Sequence, residues 1–191
     1  IQAPYVDIAT ETGRDQDAIG VGIEHNFVVE GSNVDGVNTT ISAINFLKKD
    51  DATGKFTAYD INDSSNESIV NEYLSKSGSS FLTQLINSQG KTIYKFTTNG
   101  NNLQTLIGKD FGFEIVVRKV IKGREYTYSD RVYYRPTLFE ITGFNVERVS
   151  NGNFLGSFNQ EYPLELTINF NYSNEAKNFI LTINIDGTSL T

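Results

Sequence analysis

His25 is the single histidine of a 191-residue chain that contains no Cys. It is the one side chain whose ordinary pKa suits proton transfer near neutral pH. No serine stands in a G-x-S-x-G elbow, and a lone histidine without a nucleophile builds no hydrolytic triad. The lack of Cys removes disulfides and thiolate metal sites. Carboxylate pairs at suitable separation can cleave glycosides, but no pair among the 23 Asp and Glu is set apart by its spacing. No glycine-rich phosphate loop joins a strand to a helix. The expectation is a protein without enzymatic activity.

Two groups could bind rather than react. Asp60, Asn62 and Asp63 cluster carboxylate and amide oxygens, the donors that calcium takes about six to eight of. The run resembles the start of the cadherin calcium motif D-x-N-D-N. Asp15 with Asp17, or Asp50 with Asp51, would be its partners. Asp63 or Ser64 equally suits the cap of a following helix. Calcium is the one cofactor these residues would suit; otherwise none is expected. Tyr126, Tyr128, Tyr133 and Tyr134 offer rings on which a sugar can stack, or cross-strand packing partners. The absence of Trp weakens the lectin reading. Sequons at Asn38, Asn62, Asn66 and Asn171 are what 20 Asn with frequent Ser and Thr yield by chance.

The net charge of −7 argues against nucleic acid and anionic membranes as partners, because a basic face supplies that affinity. Residues 1–63 hold 4 Lys/Arg and 11 Asp/Glu, a balance of −7; residues 118–135 hold 6 and 2, a balance of +4. This split reads as a solvated strand face, or as an acidic end meeting a basic edge on a neighbouring copy or module. No apolar run approaches the roughly 20 residues of a membrane helix. Residues 1–9 lack the features of a signal peptide. The Ile at position 1 reads as the start of a processed chain or of a segment of something longer.

Strands must position these residues. The run 111–134 reads as one long hairpin. Phe111, Phe113, Ile115 and Val117 alternate with Gly112, Glu114, Val116 and Arg118, and Lys122-Gly123 makes the turn. Ahead of it, strands are expected over 4–8, 19–29, 39–47, 55–61 and 91–98, with a polar loop at 11–17. The run 81–86 is ambiguous between strand and helix, and 103–107 is a short turn or helix. Gly20 and Gly22 share a parity over which something large can pack. Ile69, Val70, Tyr73 and Leu74 make a helical stripe over 64–75, which Gly78 can end. Arg135-Pro136 is the expected domain boundary, since proline cannot continue a central strand. Strands over 138–149, interrupted by Gly143, then 163–172 and 178–185 follow. Three strands leave edges and one apolar face uncovered, so this part reads as an incomplete second module. Residues 163–185 echo 19–47 in their strand–loop–strand order.

The hairpin resembles the F and G strands of fibronectin type III and immunoglobulin-like domains. Phe111, Phe113, Ile115 and Val117 match the inward positions of F, Gly123 the turn, and Ser129 with Val132 the G strand. The corner tyrosine appears as Phe, with only Leu106 upstream. The resemblance implies an all-β fold. Residues 1–135 would be an antiparallel sandwich with residues 64–107 as a partly helical insertion, and residues 136–191 the start of a second module. It also implies a structural module of a bacterial cell surface or a phage virion, extracellular, packing against other subunits or repeated modules. The alternative is an adhesion module that binds glycan or protein through loops or a tyrosine face, with calcium as a stabiliser. Nucleic acid and membrane insertion are not expected.

Overall fold

A computed structural model describes residues 3–31, 39–137, 141–148, 164–170, 183–185 and 188–190. The chain forms two compact units, Ile1–Leu138 and Phe139–Thr191. The division falls just past the expected boundary at Arg135-Pro136. Pro136 itself lies inside a strand.

The first unit is built of β1 (Asp7–Thr10), β2 (Gln16–Gly20), β3 (Glu24–Glu30), β4 (Thr39–Lys49) and β5 (Phe56–Asp60), then helix α1 (Glu67–Asn71) behind a 3-10 turn over Ser64–Asn66. There follow β6 (Leu74–Ser75), β7 (Thr83–Ile86), β8 (Thr92–Thr98), the one-turn helix α2 (Leu103–Leu106), β9 (Phe111–Ile121) and β10 (Arg124–Thr137). One sheet runs β1-β3-β8, with β6 and β7 both on the far side of β8; the other runs β2-β10-β9-β4-β5. All pairings are antiparallel except β2 on β10. This is the immunoglobulin strand order: A, B, E and D in one sheet, and G, F, C and C′ in the other. The unit is an all-β sandwich with short helical turns.

Three sequence expectations change. The run 19–29 is not one strand. It breaks at Val21–Ile23, and its halves, β2 and β3, lie in different sheets. Gly20 makes room for a large side chain, as a Cβ there would lie 2.6 Å from the Ile23 Cδ1, whereas Gly22 permits the crossing itself. Gly22 has φ +77°, and its backbone abuts Gly100 so closely that a Cβ would sit 3.4 Å from the Gly100 Cα. Second, residues 64–107 are not an insertion. They supply β6, β7 and β8, and β8 is central to its sheet, with the expected helix reduced to residues 64–71. Asp63 caps it, its carboxylate accepting from the Ser65 N–H at 2.9 Å. Gly78 lies beyond β6 rather than at the helix end. Third, Pro136 continues β10, where it pairs in register with Ile19 of the edge strand β2. Its missing donor is tolerated because the Tyr133 N–H bonds the Asp15 carbonyl beside β2, so the Pro136 nitrogen faces the other side, beyond the last β9 pair at Phe111.

The hairpin forms as expected. Ile121 pairs with Arg124 across Lys122 (φ 51°) and Gly123 (φ 77°), the two positive angles that a two-residue turn of matched twist requires. Phe111, Phe113, Ile115 and Val117 are fully buried. Phe113 of strand F stacks on Phe27 of strand B, centroids 5.0 Å apart. In antibody domains that pair of strands carries the inter-sheet disulfide, with a buried Trp on strand C. Here Phe46 of strand C meets the edge of Phe113 at 6.0 Å. Phenylalanines from strands B, F and C thus pack together between the sheets. Phe111, two residues before Phe113, holds the corner position, and the buried Leu106 packs into the same core.

The second unit pairs β11 (Ile141–Arg148) with β12 (Leu164–Phe170) and β13 (Ile183–Ile185) with β14 (Thr188–Leu190). A bulge at Ile141/Gly143 marks the expected interruption. Residues 178–182 of the expected third strand lie outside the described residues, so the internal echo has no counterpart to compare there.

Candidate functional site

His25 is buried on β3. Its ring lies 5.8 Å from Phe96, and Nε2 sits 3.2 Å from the Gly20 carbonyl. Burial pushes its pKa below the ordinary value, against a smaller opposing pull from that carbonyl. Among the described residues no carboxylate or nucleophile is bonded to this enclosed imidazole.

The four tyrosines do not form one platform. Tyr134 is a correction: it lies in the core, 5.0 Å from Phe96 and stacked at 5.7 Å on Phe111. Its hydroxyl donates to the Asn26 carbonyl at 3.4 Å, and burial drives its pKa well above the usual value. Tyr133 points to the opposite face, half-buried on Phe56 at 4.8 Å, where it covers its cross-strand partner Gly112. Tyr126 and Tyr128 keep the parity of Val132 and Tyr134. They lie further along β10, where the opposing sheet no longer covers them, and are 38% and 45% exposed. Tyr5, 43% exposed, meets Tyr128 at 5.7 Å. The Arg124 guanidinium lies over the Tyr126 ring at 5.4 Å. The result is an aromatic ledge at one end of the sandwich. Tyr5 and Arg124 were not candidates from the sequence, because only the seating of β1 brings Tyr5 to the hairpin.

That seating uses a carboxylate. Asp130 on β10 accepts from the Ile8 N–H at 2.8 Å and so ties β1 to the other sheet. Asp7 lies beside it. Burial, then the Asp130 charge and hydrogen bond, raise the Asp7 pKa above the usual carboxylate range.

Asp60, Asn62 and Asp63 lie in one turn between β5 and the 3-10 turn. Asp60 accepts from the Asn62 N–H at 2.9 Å, and the Asp63 carboxylate takes both the N–H and the hydroxyl of Ser65. Those two donors hold the Asp63 pKa below its usual range. Asp17 stands on β2, bonded by Thr12 at 2.6 Å, and Asp50 folds the β4–β5 turn by accepting from Ala52 and Thr53. Neither belongs to the Asp60–Asp63 turn. Among the described residues no group of three or more His, Cys, Asp or Glu is arranged to hold a metal ion.

The basic span is largely spent within the chain. Arg135 grips Asp110 with two hydrogen bonds of 2.7 and 2.8 Å, Lys49 adding a third contact at 3.3 Å. Arg131 meets the buried Glu114 at 2.6 Å, and Arg118 meets Glu125 at 3.3 Å. Asp110 is held below the usual carboxylate range, chiefly by its hydrogen bond from Arg135.

No family model and no curated protein sequence matches the chain. Among solved structures it is similar to domain 1 of VCBP3 from Branchiostoma floridae, at 14% identity and a TM-score of 0.33, over 71% of this chain and 98% of that one. No helix among the described residues is long and apolar enough to cross a membrane.

Proposed function

We propose that the chain is a non-enzymatic module of a larger assembly, at a cell surface or in a virion, and that it packs against another subunit through the aromatic ledge. The observation that carries this reading is the group Tyr5, Tyr126 and Tyr128, each more than a third exposed while the other large rings among the described residues are mostly covered. Tyrosines of this kind serve as anchors at protein interfaces, where the ring is buried and the hydroxyl finds a partner. The internal pairing of Arg118, Arg131 and Arg135 speaks against a contact driven by the acidic and basic ends of the chain. The module works without a cofactor in this reading, and its melting temperature is the same with calcium and with EDTA. A calcium-dependent rise would restore the metal to the Asp60–Asp63 turn.

Sedimentation velocity over a concentration series tests the ledge, taking a second copy of the chain as the partner. The unmodified chain is expected to self-associate, and a Tyr126→Ser, Tyr128→Ser variant to stay monomeric. Monomers at every concentration for both proteins would remove self-packing through this surface.

A further inference from the structure

A cleft of about 410 Å³ opens between the β4–β5 edge of one sheet and the β7–β8 side of the other. That is within the range of small-molecule sites, about 300–1,000 Å³. Its apolar side is formed by Ile44, Ile61, Phe81 and Leu82. Tyr94 lines it as well. Only 6% of Tyr94 is exposed, and its ring stacks on Phe27 at 5.5 Å. No described residue hydrogen-bonds its hydroxyl, although a buried hydroxyl ordinarily has a partner. Burial alone raises its pKa, which keeps the group a neutral donor.

The charges in the lining select among ligands. Lys76 is the cation of the cleft, and it is committed: it meets Glu67 at 2.6 Å and lies 5.3 Å from the Phe81 ring centre. A phosphate or carboxylate would find no spare cation. Asp63 keeps its negative charge and has one oxygen beyond the one that Ser65 uses. The Gln84 amide can donate and accept. Apolar wall, hydroxyl donor, carboxylate acceptor and amide together match a ring with one apolar face and several hydroxyls.

We propose that this cleft binds a neutral saccharide unit, its apolar face on Ile44, Ile61 and Leu82 and its hydroxyls on Asp63, Gln84 and Tyr94. The site is separate from the aromatic ledge, so the two readings stand or fall apart.

Saturation-transfer difference NMR on the full chain tests it, with free glucose, galactose, mannose and N-acetylglucosamine as probes. Transfer to the ring protons of at least one sugar is expected, falling several-fold in an Asp63→Asn, Tyr94→Phe variant and unchanged in the Tyr126→Ser, Tyr128→Ser variant. Asn still caps the helix and Phe keeps the ring stack, so folding should survive. Tyr94→Phe alone removes only an unpartnered hydroxyl and serves if the pair does not fold. No transfer from any probe, or transfer undiminished in the cleft variants, would overturn the proposal.

Discussion

The hydroxyl of Thr98 holds the point where the chain leaves one sheet for the other. It accepts from the Gly22 N–H at 2.8 Å and donates to the Gly20 carbonyl at 2.9 Å, fully buried. Thr98→Val keeps the shape and strands the Gly22 N–H, the Gly20 carbonyl retaining His25, which costs about 1–3 kcal/mol. Thermal melts should show a fall of several degrees. His25 accepts no proton easily in the folded state, so its lowered pKa makes stability present above the unfolded value of about 6.5 and lost as the pH falls below it. The melting temperature of His25→Gln should therefore fall less between neutral pH and about pH 5.5 than that of the unmodified chain. Asp7 has the opposite sign. A folded pKa raised above the unfolded one gives stability below the unfolded pKa that is lost as the pH rises through the folded value. Asp7→Asn should raise the melting temperature at pH 7, with the gain vanishing in acid; no gain at pH 7 would mean that Asp7 and Asp130 do not repel.

At the scale of elements, the β9–β10 hairpin dominates. Its turn holds Lys122 at positive φ, a conformation that Asn adopts more readily than Lys. Lys122→Asn should stabilise by a few tenths of a kcal/mol, read as a small rise in denaturation midpoint. On the outer face, Gly112 sits under Tyr133, and any Cβ there would run into the Val132 carbonyl oxygen. Gly112→Ala should shift the hairpin register or unfold the unit, and an unchanged melting curve would contradict that geometry. The alternation of β9 was legible in the sequence because one face is wholly apolar and the period is two. The break at Val21–Ile23 was not, because a strand that changes sheets keeps its apolar alternation on both sides of the crossing.

For the first unit as a whole, Phe113 joins the two layers, packed on both Phe27 and Phe96 of the opposing sheet at 5.0 and 4.9 Å. With no disulfide in the chain, Phe27 and Phe113 hold by dispersion and exclusion of water. Phe113→Ala should cost about 3–5 kcal/mol, a large share of the 5–15 kcal/mol that hold such a domain folded. Denaturant titration would read this as a much lower midpoint or as loss of cooperative unfolding. The surface is divided between committed and uncommitted groups. Arg118, Arg131 and Arg135 are paired with carboxylates, whereas the aromatic ledge and the β5–β7 cleft have side chains without such partners. Binding is therefore sought at those two places and not along the charged strands.

The sequence by itself determined the all-β class, the hairpin with its turn and inward face, and the absence of sulfur chemistry. These follow from local period, turn chemistry and composition, which need no distant contact. Only the tertiary structure decided that Tyr134 is core while Tyr126 and Tyr128 are exposed. The three share one parity, and burial depends on how far the opposing sheet reaches over them. It likewise decided that Tyr5 joins the ledge, that Arg131 and Arg135 are spent on Glu114 and Asp110, and that Asp63 and Tyr94 line one cleft. Each of these is set by contacts between residues far apart in the chain.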